Sequence, residues 1–167
     1  DVRSAGPALD PGSTSADGAR AAVLLLEASG LDVADGDVPR QGELGTLVVL
    51  VDDLDDDGWA VVRRFVSSGG DLVVAAPFSP LSASVDATES GRVTVDGRCD
   101  IPQLDGVRDL DIPVLRTFRS GVPGCLTIGG APGALVTMVG DGRVLSVGSA
   151  HPFRNDALAE ADHAAYV

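Results

Sequence analysis

The sequence predicts an α/β fold with a mostly parallel sheet and helices on both faces. Two continuous apolar runs, Thr46 to Val51 and Asp71 to Ala76, lack the alternation of a half-solvated strand. Such runs belong to parallel strands covered on both sides. Between them Trp59, Val62 and Val66 recur at helical spacing, with Phe65 alongside and Arg63 and Arg64 outward. A strand, a helix and a strand in that order favour a right-handed parallel crossover.

The elements follow in order. Residues 1–14 are rich in Gly, Pro and Ser and hold at most a short strand at Ala8-Leu9. Ser15 or Asp17 is placed to cap a helix through Ser29, ended by Gly30. Its residues Ala21 to Leu26 are apolar on nearly every side, which predicts a buried helix. Leu31-Asp32-Val33 reads as a short strand. Asp55 to Asp57 begin the next helix, where carboxylates suit the positive end of its dipole, and Gly69-Gly70 stop it. Residues 78–133 read as an irregular insertion with short strand candidates at Arg92–Val95 and Leu126–Ile128. Ala134 to Val139 and Arg143 to Val147 flank Gly140-Asp141-Gly142, a hairpin signal. Ala157 to Val167 reads as a helix that stops mid-pattern. The whole, 1–167, is expected to form a single α/β domain.

Composition narrows the function classes. The 167 residues carry 25 acidic side chains against 12 basic ones, a net charge of -13. All the basic residues are Arg, which excludes a phosphate-loop Lys and Lys-based catalysis. A chain this acidic repels a phosphate backbone and an anionic lipid surface, so no nucleic-acid partner is expected. No apolar run reaches the ~18–20 residues of a membrane span, and no signal peptide opens the chain. A first residue other than Met and an unfinished terminal helix are read as marks of a piece from a longer protein.

Cys99 and Cys125 are the only cysteines. Joined, they close a loop of about 27 residues, worth roughly 3–4 kcal/mol, and the bond persists only in an oxidising compartment. The alternative is two buried free thiols in a cytosolic protein. Neither cysteine has zinc-ligand spacing.

Three constellations carry candidate chemistry. Asp53, Asp55 and Asp57 with Gly58 match the first half of a calcium loop. Arg64 stands where the bidentate Glu belongs, so a plain helix N-terminus is the preferred reading. Ser13-Thr14-Ser15 precedes a helix whose free N–H groups suit an anion, although capping explains the same residues. His151-Pro152-Phe153 follows a strand at the edge where open α/β sheets hold their sites, and Asn155 lies beside it. His151 suits a general base, but no G-x-[SC]-x-G elbow supplies its nucleophile. No cofactor is expected.

The order of Asp10-Pro11, Ser15-Ala16-Asp17-Gly18-Ala19, Gly30-Leu31-Asp32-Val33, Leu47 to Leu50 and Phe65-Val66 before Gly69-Gly70-Asp71-Leu72-Val73 resembles the bacterial domain of unknown function 4350 family. The resemblance continues through Cys99, Cys125, Val144 to Ser149 and Asn155, departing at His163-Ala164-Ala165 where Asn-Ala-Ala is expected. It implies a flavodoxin-like core similar to class I glutamine amidotransferases, in a membrane-anchored protein whose domain lies outside the cytoplasm. It also implies partners among membrane or envelope proteins, including a MoxR-type ATPase system. Amidotransferases pair an elbow Cys with His-Pro-Glu; here His151-Pro152 remains, Phe153 replaces the Glu and the elbow Cys is missing.

Three functions are therefore weighed. The first is a non-catalytic extracytoplasmic module that binds a partner protein or small ligand. The second is a degenerate hydrolase using His151 with Ser79 or Ser149. The third is an ion-binding domain using the Asp53–Asp57 or Ser13–Ser15 residues.

Overall fold

The structure, a computed structural model, describes residues 7–36, 38–94, 99, 101–104, 106–107, 109–119, 124–128 and 130–167. A five-stranded sheet forms the centre, built from β1 (Thr46–Val49), β2 (Asp71–Val74), β5 (Cys125–Ile128), β6 (Ala131–Val139) and β7 (Gly142–Val147) in the order β1-β2-β7-β6-β5. β1, β2 and β7 run parallel, whereas β7, β6 and β5 pair antiparallel, so the sheet is mixed. The antiparallel half contains the expected hairpin, and Gly140 turns it at φ 63, in the left-handed region.

Helix α2 (Asp56–Ser67) covers one face. Asp55 caps it by accepting the Gly58 N–H at 2.8 Å, and Trp59, Val62, Phe65 and Val66 are buried. They pack on Val49, Leu72, Val74 and Val144. Full burial of side chains such as Phe65 and Val62 contributes roughly 1.5–3 kcal/mol each. Val73 and Leu145 point to the opposite core, as the two-residue period of a strand requires.

Helix α1 (Arg20–Ala28) contributes Ala22 to that opposite core. It begins at Ala19 without a side-chain cap, because Ser15 Oγ donates to Asp17 instead. The expectation of burial all round does not hold: Ala22 is its buried residue and Leu24 is 50% exposed. The helix thus meets the core through Ala22 and leaves its other sides partly or fully exposed. Leu31–Val33 forms no strand.

The segment expected to be irregular holds a two-stranded antiparallel ribbon, β3 (Val85–Thr94) with β4 (Asp109–Phe118), and also supplies β5. Leu110, Ile112, Leu115 and Phe118 of β4 are fully buried. A register shift between Glu89 and Gly91 changes the phase of alternation, which hides the strand from a simple pattern. Cys99, after β3, is bonded to Cys125 at the start of β5, with Cα atoms 4.8 Å apart. The terminal helix shrinks to one turn, α3 (His163–Tyr166), because Ala161 takes φ 43 and interrupts the run. Among the described residues no helix is long and apolar enough to cross a membrane.

Candidate functional site

Open α/β sheets hold ligands beyond the carboxyl ends of their parallel strands. Here those ends are Val49, Val74 and Val147, followed by Leu50, Ala75 and Gly148. β4 crosses the end of β7. The Arg116 N–H donates to the Gly148 carbonyl at 2.9 Å, and the Gly148 N–H donates to the Gly133 carbonyl at 2.8 Å. A Cβ at Gly148 would overlap the Arg116 carbonyl, so glycine is what permits this approach. At β7 the sheet's own chain occupies the ligand position.

His151 follows at the start of a short 3-10 turn, His151–Phe153. Its ring meets that of His163 edge-on, with centroids 5.9 Å apart. Its Nδ1 is buried and makes no hydrogen bond with any described residue. Burial, with smaller contributions from Arg154 and His163, holds the imidazole below its ordinary pKa. The His151 backbone N–H donates to Ser149 Oγ at 3.2 Å, and Tyr166 donates its hydroxyl to the Ser149 carbonyl at 3.5 Å. Burial drives the Tyr166 phenol far above its ordinary pKa.

His163 is fully buried and belongs to the packing. Its Nε2 accepts the Asp111 N–H at 3.1 Å while Nδ1 faces the Ala157 carbonyl at 2.8 Å. The ring thus joins α3 to β4.

Ser79 is buried with Oγ unpartnered, and it makes no hydrogen bond with His151. It belongs to the segment whose Leu81 packs into the α2 core and whose Ala83 N–H donates to Ser146 Oγ at 2.9 Å. His151 keeps company with Phe153 and Tyr166, which lie in the opposite core. The structure brings no hydroxyl of Ser79 or Ser149 into a hydrogen bond with the His151 ring.

Ser13, Ser15, Asn155 and Asp55 are engaged in holding the fold. The Asn155 amide donates to the Ser13 and Ser15 carbonyls at 2.9 and 2.6 Å, and its Oδ1 accepts the Ala21 N–H at 2.7 Å. The Arg20 N–H is bonded to the Ser13 carbonyl at 3.3 Å. Two of the N–H groups expected to await an anion at α1, those of Arg20 and Ala21, are therefore occupied. Thr14 is exposed. Asp55 caps α2, and no three His, Cys, Asp or Glu residues are grouped to hold a metal ion among the described residues.

One feature was not legible in the sequence. Phe78, just beyond β2, is 74% exposed, and the Arg116 guanidinium lies 5.3 Å from its ring centroid. Arg116 also bonds the Thr88 hydroxyl across the ribbon. Residues 77–79 and 82–85 line a shallow depression beside it.

Fold and site define a mixed α/β protein with a disulfide and a sheet edge crossed by its own ribbon. The family model described as Domain of unknown function (DUF4350) matches residues 11–167, and the chain belongs to that family. No curated protein matches it. Among solved structures it is similar to the exo-beta-1,4-mannosidase Op5Man5 from Opitutaceae bacterium strain TAV5, at 18% identity and a TM-score of 0.52. That match covers 75% of this chain and 25% of the mannosidase, and at this identity it concerns the fold alone.

Proposed function

We propose that this chain is a non-catalytic, extracytoplasmic domain of a membrane-anchored protein, serving to dock a partner in an envelope-associated complex. The observation that carries this reading is the Arg116 N–H to Gly148 carbonyl bond, which seats β4 where an open sheet would seat a substrate. The bond between Cys99 and Cys125 supports it twice. It takes up the chain's only thiols, so no Cys is left for amidotransferase-like chemistry, and it fits an oxidising compartment.

We read the core as a variant of the class I glutamine amidotransferase-like arrangement in which the catalytic edge has become structural. The proposed partners are other membrane or envelope proteins, with a MoxR-type ATPase system among the candidates. A degenerate hydrolase is the alternative, favoured by the lowered pKa and unpartnered Nδ1 of His151. It lacks a nucleophile bonded to that ring.

The test is a panel of amide, ester and glycoside substrates offered to the full-length protein and to His151→Ala. Equal background rates for both are expected. Turnover that disappears on His151→Ala would overturn the reading. Separately, thiol-reactive labelling of intact cells without reductant should leave both cysteines unmodified, with labelling after a reductant outside the membrane. Free thiols in the isolated protein would contradict the compartment.

A further inference from the structure

Among the described residues the sheet ends at β1, which pairs only with β2. The Asp71 N–H donates to the Gly45 carbonyl at 3.0 Å, and the Ala75 N–H to the Val49 carbonyl at 2.8 Å. In a parallel ladder each residue turns both its backbone groups toward the same neighbour. Residues 45, 47 and 49 therefore face β2, and the N–H and C=O groups of Thr46 and Val48 face away. They make no hydrogen bond among the described residues.

Beyond the shortness of the four-residue strand, this edge carries little protection among the described residues. Thr46–Val49 contains no Pro and no charged residue, and its ladder has no register shift. Apolar side chains cluster along the same stretch of chain: Leu44 is 91% exposed, Val48 40% and Val51 46%. The flanks are acidic. Exposed Glu43 precedes the strand in sequence and exposed Asp52 and Asp53 follow it, with Arg40 the nearest basic residue upstream. The Trp59 indole N–H fixes the Asp52 carboxylate at 2.8 Å.

We propose that the open edge of β1 receives an extended, cationic segment of a partner protein by strand addition. Main-chain bonds to Thr46 and Val48 would hold it, apolar side chains would meet Val48, and basic residues would meet the acidic flanks. A second copy of this chain is a poor occupant, because edge-to-edge pairing sets acid against acid. The inference rests on the partner-docking reading and names its surface.

The probe is a synthetic peptide of alternating Val and Arg, compared with its Val and Glu counterpart. The expected result is slowed hydrogen exchange at the Thr46 and Val48 amides with the Arg peptide only, and an affinity that falls as salt rises. Val48→Pro removes an outward N–H and leaves the β2 ladder intact, so binding should weaken at least about tenfold with the fold retained. Should that variant not fold, Val48→Lys keeps the backbone and repels the peptide, with the same loss expected. Unchanged exchange at both amides with the Arg peptide overturns the proposal, as does equal protection by the Glu peptide. Protection that rises with protein concentration alone would assign the edge to a second copy and also overturn it. Turnover lost on His151→Ala would instead refute the non-catalytic reading and leave the edge result standing.

Discussion

Asn155 and Ser15, 140 positions apart in sequence, are joined by a 2.6 Å bond from the Asn155 amide to the Ser15 carbonyl. The same side chain reaches Ser13 and Ala21, so one residue closes the loop that precedes α1 onto the turn that follows β7. Asn155 thus latches the loop at residues 13–15 in place.

Asn155→Ala should therefore destabilise the fold by about 2–4 kcal/mol, since two carbonyls and one N–H lose their partner together. Asn155→Asp should be at least as harmful, because a carboxylate cannot donate to carbonyls. Chemical denaturation of the three proteins checks this. A loss under about 0.5 kcal/mol for both variants would mean that solvent replaces the latch.

His151 makes stability depend on pH. Its folded pKa lies below the ordinary 6.5, so the unfolded chain binds more protons than the folded one. Its contribution is complete above 6.5 and is lost as pH falls from there toward the folded value. Denaturation midpoints at pH 7.5 and at about 5.5 should differ more for the wild type than for His151→Gln. Equal differences would remove the ring as the source.

Calcium should not bind at the Asp53–Asp57 run. Asp55→Ala should cost about 0.5–2 kcal/mol through loss of the α2 cap, whereas Asp53→Ala should stay within about 0.5 kcal/mol. Calcium titration should leave the melting temperature of the wild type unchanged. A calcium-dependent rise abolished in Asp53→Ala would restore the metal reading.

Reduction of Cys99–Cys125, or Cys99→Ala with Cys125→Ala, should cost about 2–4 kcal/mol by freeing a loop of sequence separation 26. Denaturation with and without reductant measures it, and the double variant should be insensitive to reductant.

The parts of this fold that were legible in the sequence are those with local signals. The apolar runs at β1 and β2, the capped α2 between them and the Gly-Asp-Gly hairpin need only nearby residues to be recognised. The ribbon is not legible because Pro113 and a register shift break the alternation of Leu110 and Ile112 before it reaches Leu115. The exposed side of α1 is not legible because its composition shows apolar surface without showing which sides are covered. For the site, the place of His151 after a strand is legible in the sequence. The Phe78–Arg116 pair and the Asn155 latch join distant segments, and neither leaves a spacing to read.

The central claim is that β4 closes the carboxyl-terminal edge of the sheet at β7 in the stable fold. Native-state hydrogen exchange of the Arg116 amide tests it most directly. The account predicts exchange as slow as that of the sheet interior, limited by global unfolding. Exchange at the rate of an open loop would contradict it, because the edge would then be free to take a substrate beside His151.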